Sequence, residues 1–154
     1  MSKKHSSVAC LVVGAAVILT GCSTAAAPAE TPPAVVTPIA GSQVQRLQLT
    51  DRAMQRLGIT TQPVRKAPTA AGKASGTTGM HKVIPYSAVV YDTDGSTWTY
   101  VNTAARTYVR QPITITAIQG NAAVLSTGPP VGAAVVTVGA AELLGTEYNI
   151  SGEE

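Results

Sequence analysis

The C-terminal half of the chain consists of short apolar segments separated by turn-forming residues, and this pattern restricts the fold to β structure. Ile113-Thr114-Ile115-Thr116 alternates with the period of two that is typical of a strand with one buried face. Asp92-Thr93-Asp94-Gly95-Ser96 supplies residues that favour a turn, and further turns are predicted at Gly120-Asn121 and at 128–132. The predicted strands cover residues 59–64, 83–91, 97–102, 108–118, 122–126 and 133–138, with a hairpin at 92–96.

A short helix is predicted before most of these strands. Thr50 or Asp51 suits its N-cap, Arg56 suits its last turn, and Gly58 can adopt the left-handed conformation that ends a helix. A last helical turn is predicted at 139–144, and residues 67–81, rich in Gly, Ala, Ser and Thr, are predicted to form a loop. We therefore expect a mainly β fold, a small antiparallel barrel or sandwich with one or two short helices.

The N-terminus has the three-part layout of a secretory signal. Lys3 and Lys4 precede an apolar run that ends at Leu19. The run is shorter than the roughly 20 apolar residues of a transmembrane helix, so we interpret residues 1–21 as a signal peptide. Leu19-Thr20-Gly21-Cys22 resembles the bacterial lipobox. The resemblance implies that Cys22 is lipidated and that the chain is cleaved before it, which would anchor the protein on the extracytoplasmic face of a cell-envelope membrane. An ordinary cleaved signal and an uncleaved anchor are the alternatives.

The segment that follows is expected to be a tether. Residues 22–43 are rich in Ala, Pro and Thr, and proline-rich segments are extended and semi-rigid. The folded domain is then expected at 44–148, followed by an acidic tail at 149–154. Loss of Lys3 and Lys4 lowers the basic side chains from 11 to 9 against 8 acidic ones, so composition gives no case for nucleic-acid binding.

The order of the segments resembles the membrane-proximal domain of periplasmic adaptors, also called membrane fusion proteins, of tripartite efflux pumps. The matching stretches are 56–64, 83–90, 98–101, 109–115, 128–136 and 139–145. In that family two sequence-distant arms meet in this domain, and long projecting modules lie between them. Residues 67–81 are too few to hold those modules. The resemblance implies a lipid-anchored accessory protein that docks on an inner-membrane transporter. The alternative is a stand-alone ligand- or metal-binding lipoprotein, and no oligomeric state is predicted.

Three segments have residue types that suit a particular chemistry, and each also has a simpler interpretation. Asp92-Thr93-Asp94-Gly95 begins like a calcium loop, but Thr103 stands where the glutamate is required, so a solvated turn is favoured. Met80 and His81, with Met54, are the residue types that suit Cu(I), although their spacing is irregular and a solvated loop is favoured. Ser87 lacks the Gly-x-Ser-x-Gly environment of a hydrolase nucleophile. We therefore expect no enzymatic activity and no cofactor.

Two surface features also have alternative interpretations. The first half of the chain is basic and is either ordinary solvated surface or attracted to anionic lipid headgroups. The residues singled out for this charge are Arg52, Arg56, Arg65, Lys66 and Lys73. Trp98, Tyr100 and Tyr108 form either an exposed contact patch or, in the favoured interpretation, cross-strand packing.

Overall fold

The computed structural model describes residues 32–68 and 80–148 of the chain, which form two antiparallel sheets and two short helices. The strands are β1 (Ala34–Pro38), β2 (Gln45–Leu49), β3 (Thr60–Pro63), β4 (Arg65–Pro68), β5 (Met80–Pro85), β6 (Val90–Tyr91), β7 (Thr97–Ala104), β8 (Thr107–Pro112), β9 (Thr114–Gln119), β10 (Ala122–Thr127) and β11 (Ala134–Val138). The helices are α1 (Asp51–Leu57) and α2 (Ala140–Glu147). The predicted mainly β fold with short helices is confirmed.

Both sheets are open, so the described residues form no closed barrel. The first sheet has seven strands in the order β1-β2-β8-β7-β11-β3, and β6 pairs with the start of β7. The second sheet has four strands in the order β4-β5-β10-β9. Strands that precede the 69–79 interval pair with strands that follow it in three places: β2 with β8, β3 with β11, and β4 with β5.

Two apolar clusters form the core. The first core cluster contains the buried tyrosines Tyr100 and Tyr108 and is covered by both helices through Ala53 and Leu143. The second core cluster is aliphatic and joins the sheets, because Val135 of β11 packs with Ile84 of β5. The aromatic bulk is thus confined to the part of the core beneath the helices.

Helix α1 forms where the sequence predicts it. The Thr50 hydroxyl accepts a hydrogen bond from the Ala53 N–H over 3.2 Å, which satisfies one of the free donors of the first turn. Gly58 ends the helix at φ 59°, a left-handed conformation that glycine adopts at little cost. Ala53 points into the core, whereas Arg52 and Arg56 are exposed.

The tether predicted at 22–43 is shorter than expected, because part of it is a strand. β1 pairs with β2 across Ala34↔Leu49 to Pro38↔Gln45. The Val35-Val36-Thr37 segment has the β-branched residues that favour a strand, and Pro38 is tolerated because β1 is an edge strand. The folded domain therefore begins before residue 44, and 22–31 lie outside the described residues.

The loop predicted at 67–81 is also shorter. Ala67 and Pro68 belong to β4, while Met80 and His81 belong to β5, and the two strands pair up to Pro68↔Met80. Backbone hydrogen bonds between the strands outweigh the weak local preferences of these residues. Only 69–79 remain of the predicted loop, and they lie outside the described residues, as does the predicted tail at 149–154.

Two predicted strands are interrupted. The segment predicted at 83–91 contains a 3-10 turn at Tyr86–Ala88 between β5 and β6. The segment predicted at 108–118 divides into β8 of the first sheet and β9 of the second. Ile113 lies at the division and is buried in the second core cluster, so burial of one side chain accompanies the change of sheet. α2 extends past the single turn predicted at 139–144.

Candidate functional site

Two exposed tyrosines stand side by side where the chain passes between the sheets. Tyr86 begins the 3-10 turn, and its backbone N–H donates to the Asn121 carbonyl over 2.7 Å, which fixes the turn to the β9–β10 connection. Its hydroxyl shares a hydrogen bond of 3.2 Å with the hydroxyl of Tyr91. This hydrogen bond raises the pKa of Tyr91. The two side chains are 40% and 50% exposed. We call Tyr86, Ser87 and Tyr91 the tyrosine ridge.

Open grooves lie on the two sides of the tyrosine ridge, and Ser87 contributes to both. The first groove has a volume of about 660 Å³ and is lined by Gln62, Pro63, Arg65, Val83, Ile84, Pro85, Tyr86, Ser87, Gln119, Asn121 and Ala122. The second groove has a volume of about 390 Å³ and is lined by Ser87, Val89, Val90, Tyr91, Thr137, Gly139, Ala140, Ala141, Glu142 and Leu144. Each lining has one charged residue, Arg65 in the first groove and Glu142 in the second, so the surface around the ridge is largely uncharged.

An ionic cluster lies next to the ridge in the sequence and has a buried centre, while its outer member Tyr148 is 44% exposed. Arg110 of β8 and Glu147 of α2 are only 5% and 2% exposed. The Arg110 Nη1 atom donates to Asp92 Oδ2 over 2.6 Å and to the Tyr148 hydroxyl over 3.0 Å. Arg110 Nε lies 3.3 Å from Glu147 Oε2, an ion-pair distance without hydrogen-bond geometry. The Tyr100 hydroxyl donates to the same Oε2 atom over 2.5 Å. We refer to Asp92, Tyr100, Arg110, Glu147 and Tyr148 as the ionic cluster.

Every charge in the ionic cluster has a partner that lowers the cost of its burial. The Tyr148 hydroxyl donates to Asp92 over 2.7 Å, and together with the Thr93 N–H and Arg110 it lowers the pKa of Asp92 to about 2. Burial alone would lower the pKa of Arg110, but its hydrogen bonds to Asp92 and Tyr148 raise it overall. The Arg110 guanidinium also lies over the Trp98 ring, 4.5 Å from its centre, a favourable cation–π distance.

The ionic cluster fixes the position of the ridge. Asp92 directly follows Tyr91, and its bonds to Arg110 and Tyr148 attach the 92–96 turn to the first sheet and to the end of α2. The Gln45 N–H donates to Glu147 Oε1 over 3.1 Å, which ties the same helix to β2. Tyr91 is therefore held by a rigid framework, which is the arrangement that a preorganised contact surface needs.

The residues predicted to carry the anchor, Leu19, Thr20, Gly21 and Cys22, lie outside the described residues.

The candidate metal ligands do not converge. Met80 is 61% exposed and precedes His81 in β5. Successive side chains of a strand point to opposite faces, so the structure does not bring these two together. The Met54 sulfur, in α1, accepts a hydrogen bond over 3.1 Å from the hydroxyl of Tyr108 in β8 of the first sheet. Within residues 32–68 and 80–148, no group of three or more His, Cys, Asp or Glu side chains has the arrangement of a metal site.

The other candidate residues have separate positions. Asp92 lies in a hairpin turn, as predicted, and the Asp92 N–H closes the turn by donating to the Ser96 carbonyl over 2.9 Å. The Asp92 carboxylate, in addition, binds Arg110 and Tyr148. Ser87 lies on the tyrosine ridge, in a 3-10 turn and not in the predicted strand. Tyr100 and Tyr108 are buried cross-strand neighbours of Arg110 and Leu47, in agreement with the packing interpretation.

Comparisons with models of protein families, with curated proteins and with solved structures found no match to this chain. None of the helices in the described ranges has the length and the apolar character that crossing a membrane requires. No sequence pattern predicted the ionic cluster. The spacing in β8 was one available indication. Arg110 lies two residues after Tyr108, so the arginine side chain is on the same buried face of the strand as the tyrosine.

Proposed function

We propose that this protein is a non-enzymatic, lipid-anchored accessory protein of the cell envelope that docks on a membrane transporter through the tyrosine ridge. The observation that carries the proposal is the ridge itself, two exposed tyrosines bonded to each other and flanked by two largely uncharged grooves. Tyrosine is enriched among the residues that dominate binding energy at protein interfaces, because its large ring loses little conformational freedom.

The pairing of the strands supports the resemblance to the adaptor membrane-proximal domain. In that family two arms of the chain combine in one domain. Here the strands before residue 69 pair with strands after residue 79 in both sheets. The chain leaves the second sheet at Pro68 and returns at Met80, which are directly paired. This is the place where the family carries its projecting modules.

The lipobox resemblance supports the anchoring part of the proposal. Replacing Cys22 by Ala removes the only thiol of the mature chain that could carry the lipid. We expect Cys22→Ala to leave the β domain folded and the lipid absent. Mass spectrometry of the purified protein checks this, with a diacylglyceryl mass on the wild type and none on the variant. An unmodified wild-type chain would contradict the anchor.

Co-purification tests the docking part. Membranes that contain the wild-type chain are solubilised in mild detergent, and the tagged chain is recovered with its bound proteins. We expect a polytopic membrane protein with the wild type, and its loss with Tyr86→Ala/Tyr91→Ala. The matched control is Tyr86→Phe/Tyr91→Phe, which keeps both rings and should retain most of the partner. Equal recovery with the alanine pair would contradict docking through the ridge.

A stand-alone ligand-binding role is the second candidate, and the size of the first groove favours it. Its volume of about 660 Å³ falls within the usual range for small-ligand sites, roughly 300–1,000 Å³. Among the described residues of its lining only Arg65 is charged, so a ligand that bears a carboxylate would suit it. Saturable binding that is lost with Arg65→Gln, with no transporter recovered, would favour this role. Saturable Cu(I) binding lost with Met80→Ala/His81→Ala would favour the metal-binding alternative.

A further inference from the structure

The exposed side of α1 lies next to the point where the chain joins the domain. The Pro33 carbonyl accepts the Thr50 N–H over 3.0 Å and the Thr50 hydroxyl over 3.3 Å, and Thr50 is the N-cap of α1. Arg56 and Leu57 line a small cleft of about 330 Å³ together with Pro33 and Ala34. The first residues of the domain and α1 are thus in direct contact.

The position of Pro33 in the sequence limits how far α1 can lie from the anchor. Pro33 is eleven positions after Cys22. A fully extended chain spans at most about 3.6 Å per residue, so Pro33 can be no more than about 40 Å from a lipidated Cys22. This is about half the distance that the 22–43 segment would allow if all of it were a tether, counted to residue 44 at the same rise.

The side of α1 that faces away from the core is basic. Asp51, Arg52, Gln55 and Arg56 are all exposed and share one side of the helix, and we call them the arginine face. Asp51 forms an ion pair with Arg106, so its charge is compensated by a further arginine. The arginine face together with Arg106 therefore has three positive charges and one negative charge.

From this placement we propose that the arginine face of α1 lies against the membrane and binds the phosphate groups of anionic phospholipids. The proposal rests on the lipid anchor at Cys22. Guanidinium groups bind phosphate oxygens with paired hydrogen bonds, and basic residues near an anionic bilayer are attracted to its negative surface potential. Two uncompensated arginines suit a surface that only has to orient a domain already held by a lipid.

This placement of α1 also determines where the tyrosine ridge lies relative to the membrane. Arg106, which binds Asp51 of α1, lies in the two-residue turn after the end of β7, whereas Tyr91 pairs with Thr97 at the start of β7. At about 3.3 Å per residue, the eight residues of β7 separate these two ends by roughly 25 Å. With the arginine face on the membrane, the ridge is presented away from it, toward the periplasmic part of a partner.

The test uses the mature lipoprotein in vesicles that carry a nitroxide on a fraction of their headgroups. A fluorophore is attached to a single introduced cysteine, at Gln55→Cys on the arginine face or at Thr93→Cys beside the ridge. We expect strong quenching at position 55 and weak quenching at position 93 in vesicles rich in phosphatidylglycerol. In phosphatidylcholine vesicles the quenching at 55 should fall to the level at 93, because the neutral surface does not orient the domain.

A pair of charge variants completes the test. Arg52→Gln/Arg56→Gln should abolish the quenching at position 55 in anionic vesicles, whereas Arg65→Gln/Lys66→Gln, which removes the same charge from β4, should leave it intact. Equal quenching at 55 and 93, or equal loss in both variants, would overturn the proposal. Flotation of the same samples reports the anchor separately: protein that fails to float with either vesicle contradicts lipidation, while protein that floats without differential quenching contradicts only the orientation.

Discussion

The exposed tyrosines of the ridge and the buried tyrosines of the first core cluster differ in what their hydroxyl groups bind. Tyr86 and Tyr91 bond to each other, and both side chains are exposed at the surface. Tyr100 and Tyr108 bond instead to Glu147 and Met54, and their rings are enclosed by the core. Burial also raises the pKa of both buried phenols. The difference indicates that the buried pair maintains the framework and the exposed pair is free for contact.

The largest loss of stability is expected when Arg110, which binds the framework together, is replaced. Arg110→Met leaves Glu147 and Asp92 without their cation, and breaking a buried ion pair costs about 3–5 kcal/mol. Urea denaturation should show this loss in the free energy of unfolding. The matched control is Arg106→Met, whose exposed partner Asp51 makes a contribution of about 1 kcal/mol or less. Equal losses in both variants would contradict the role given to the ionic cluster.

A smaller effect is expected when the buried hydroxyl is removed. Tyr100→Phe leaves Glu147 Oε2 without its hydrogen-bond donor, and an unsatisfied buried group costs about 1–3 kcal/mol. Tyr86→Phe removes the corresponding hydroxyl at the surface and should change stability by about 0.5 kcal/mol or less. Chemical denaturation of both variants measures the difference. A larger loss for Tyr86→Phe would mean that the ridge, and not the core tyrosine, stabilises the fold.

The smallest expected effect is a change in the stability of the fold with pH. The pKa of Asp92 is lowered to about 2 in the folded protein, from about 4 in an unfolded chain. A lowered pKa stabilises the fold above the unfolded value, and the stabilisation is lost as pH falls from about 4 to about 2. The difference in melting temperature between wild type and Asp92→Asn should therefore shrink over this range.

Asp94→Asn is the control for the pH experiment. The pKa of Asp94 is also lowered, but through Ser96 in its own turn and without an arginine. Above pH 4, both variants should melt below the wild type. We expect the difference in melting temperature to be smaller for Asp94→Asn than for Asp92→Asn. An Asp92→Asn difference that stays constant from pH 5 to pH 2 would contradict the bonding of Asp92 to the ionic cluster.

The sequence predicted those parts of the fold whose signals are local. The cap at Thr50, the left-handed Gly58 and the hairpin turn at 92–96 each depend on residues only a few positions apart. β1 and β4 could not be predicted in this way. Each is a short edge strand with prolines or mixed polarity, and each becomes a strand only because β2 or β5 supplies its hydrogen-bond partners.

The candidate site was predicted less well than the fold, for a related reason. The tyrosine ridge combines Tyr86 and Tyr91 across a 3-10 turn, where the sequence predicts a continuous strand. In a continuous strand, residues five positions apart would point to opposite faces, and the two hydroxyl groups could not meet. Arg110 and Glu147 are separated by 37 positions, and only the packing of α2 on the first sheet brings them together.

Site-specific photo-crosslinking in cells tests the central proposal most directly. A benzophenone amino acid is placed at Tyr91 on the ridge or, as the control, at Thr103, an exposed position near the other end of β7. We predict a crosslink from position 91 to a polytopic membrane protein, and none to that protein from position 103. The absence of a membrane-protein crosslink at 91, or equal crosslinks from both positions, would contradict docking through the tyrosine ridge.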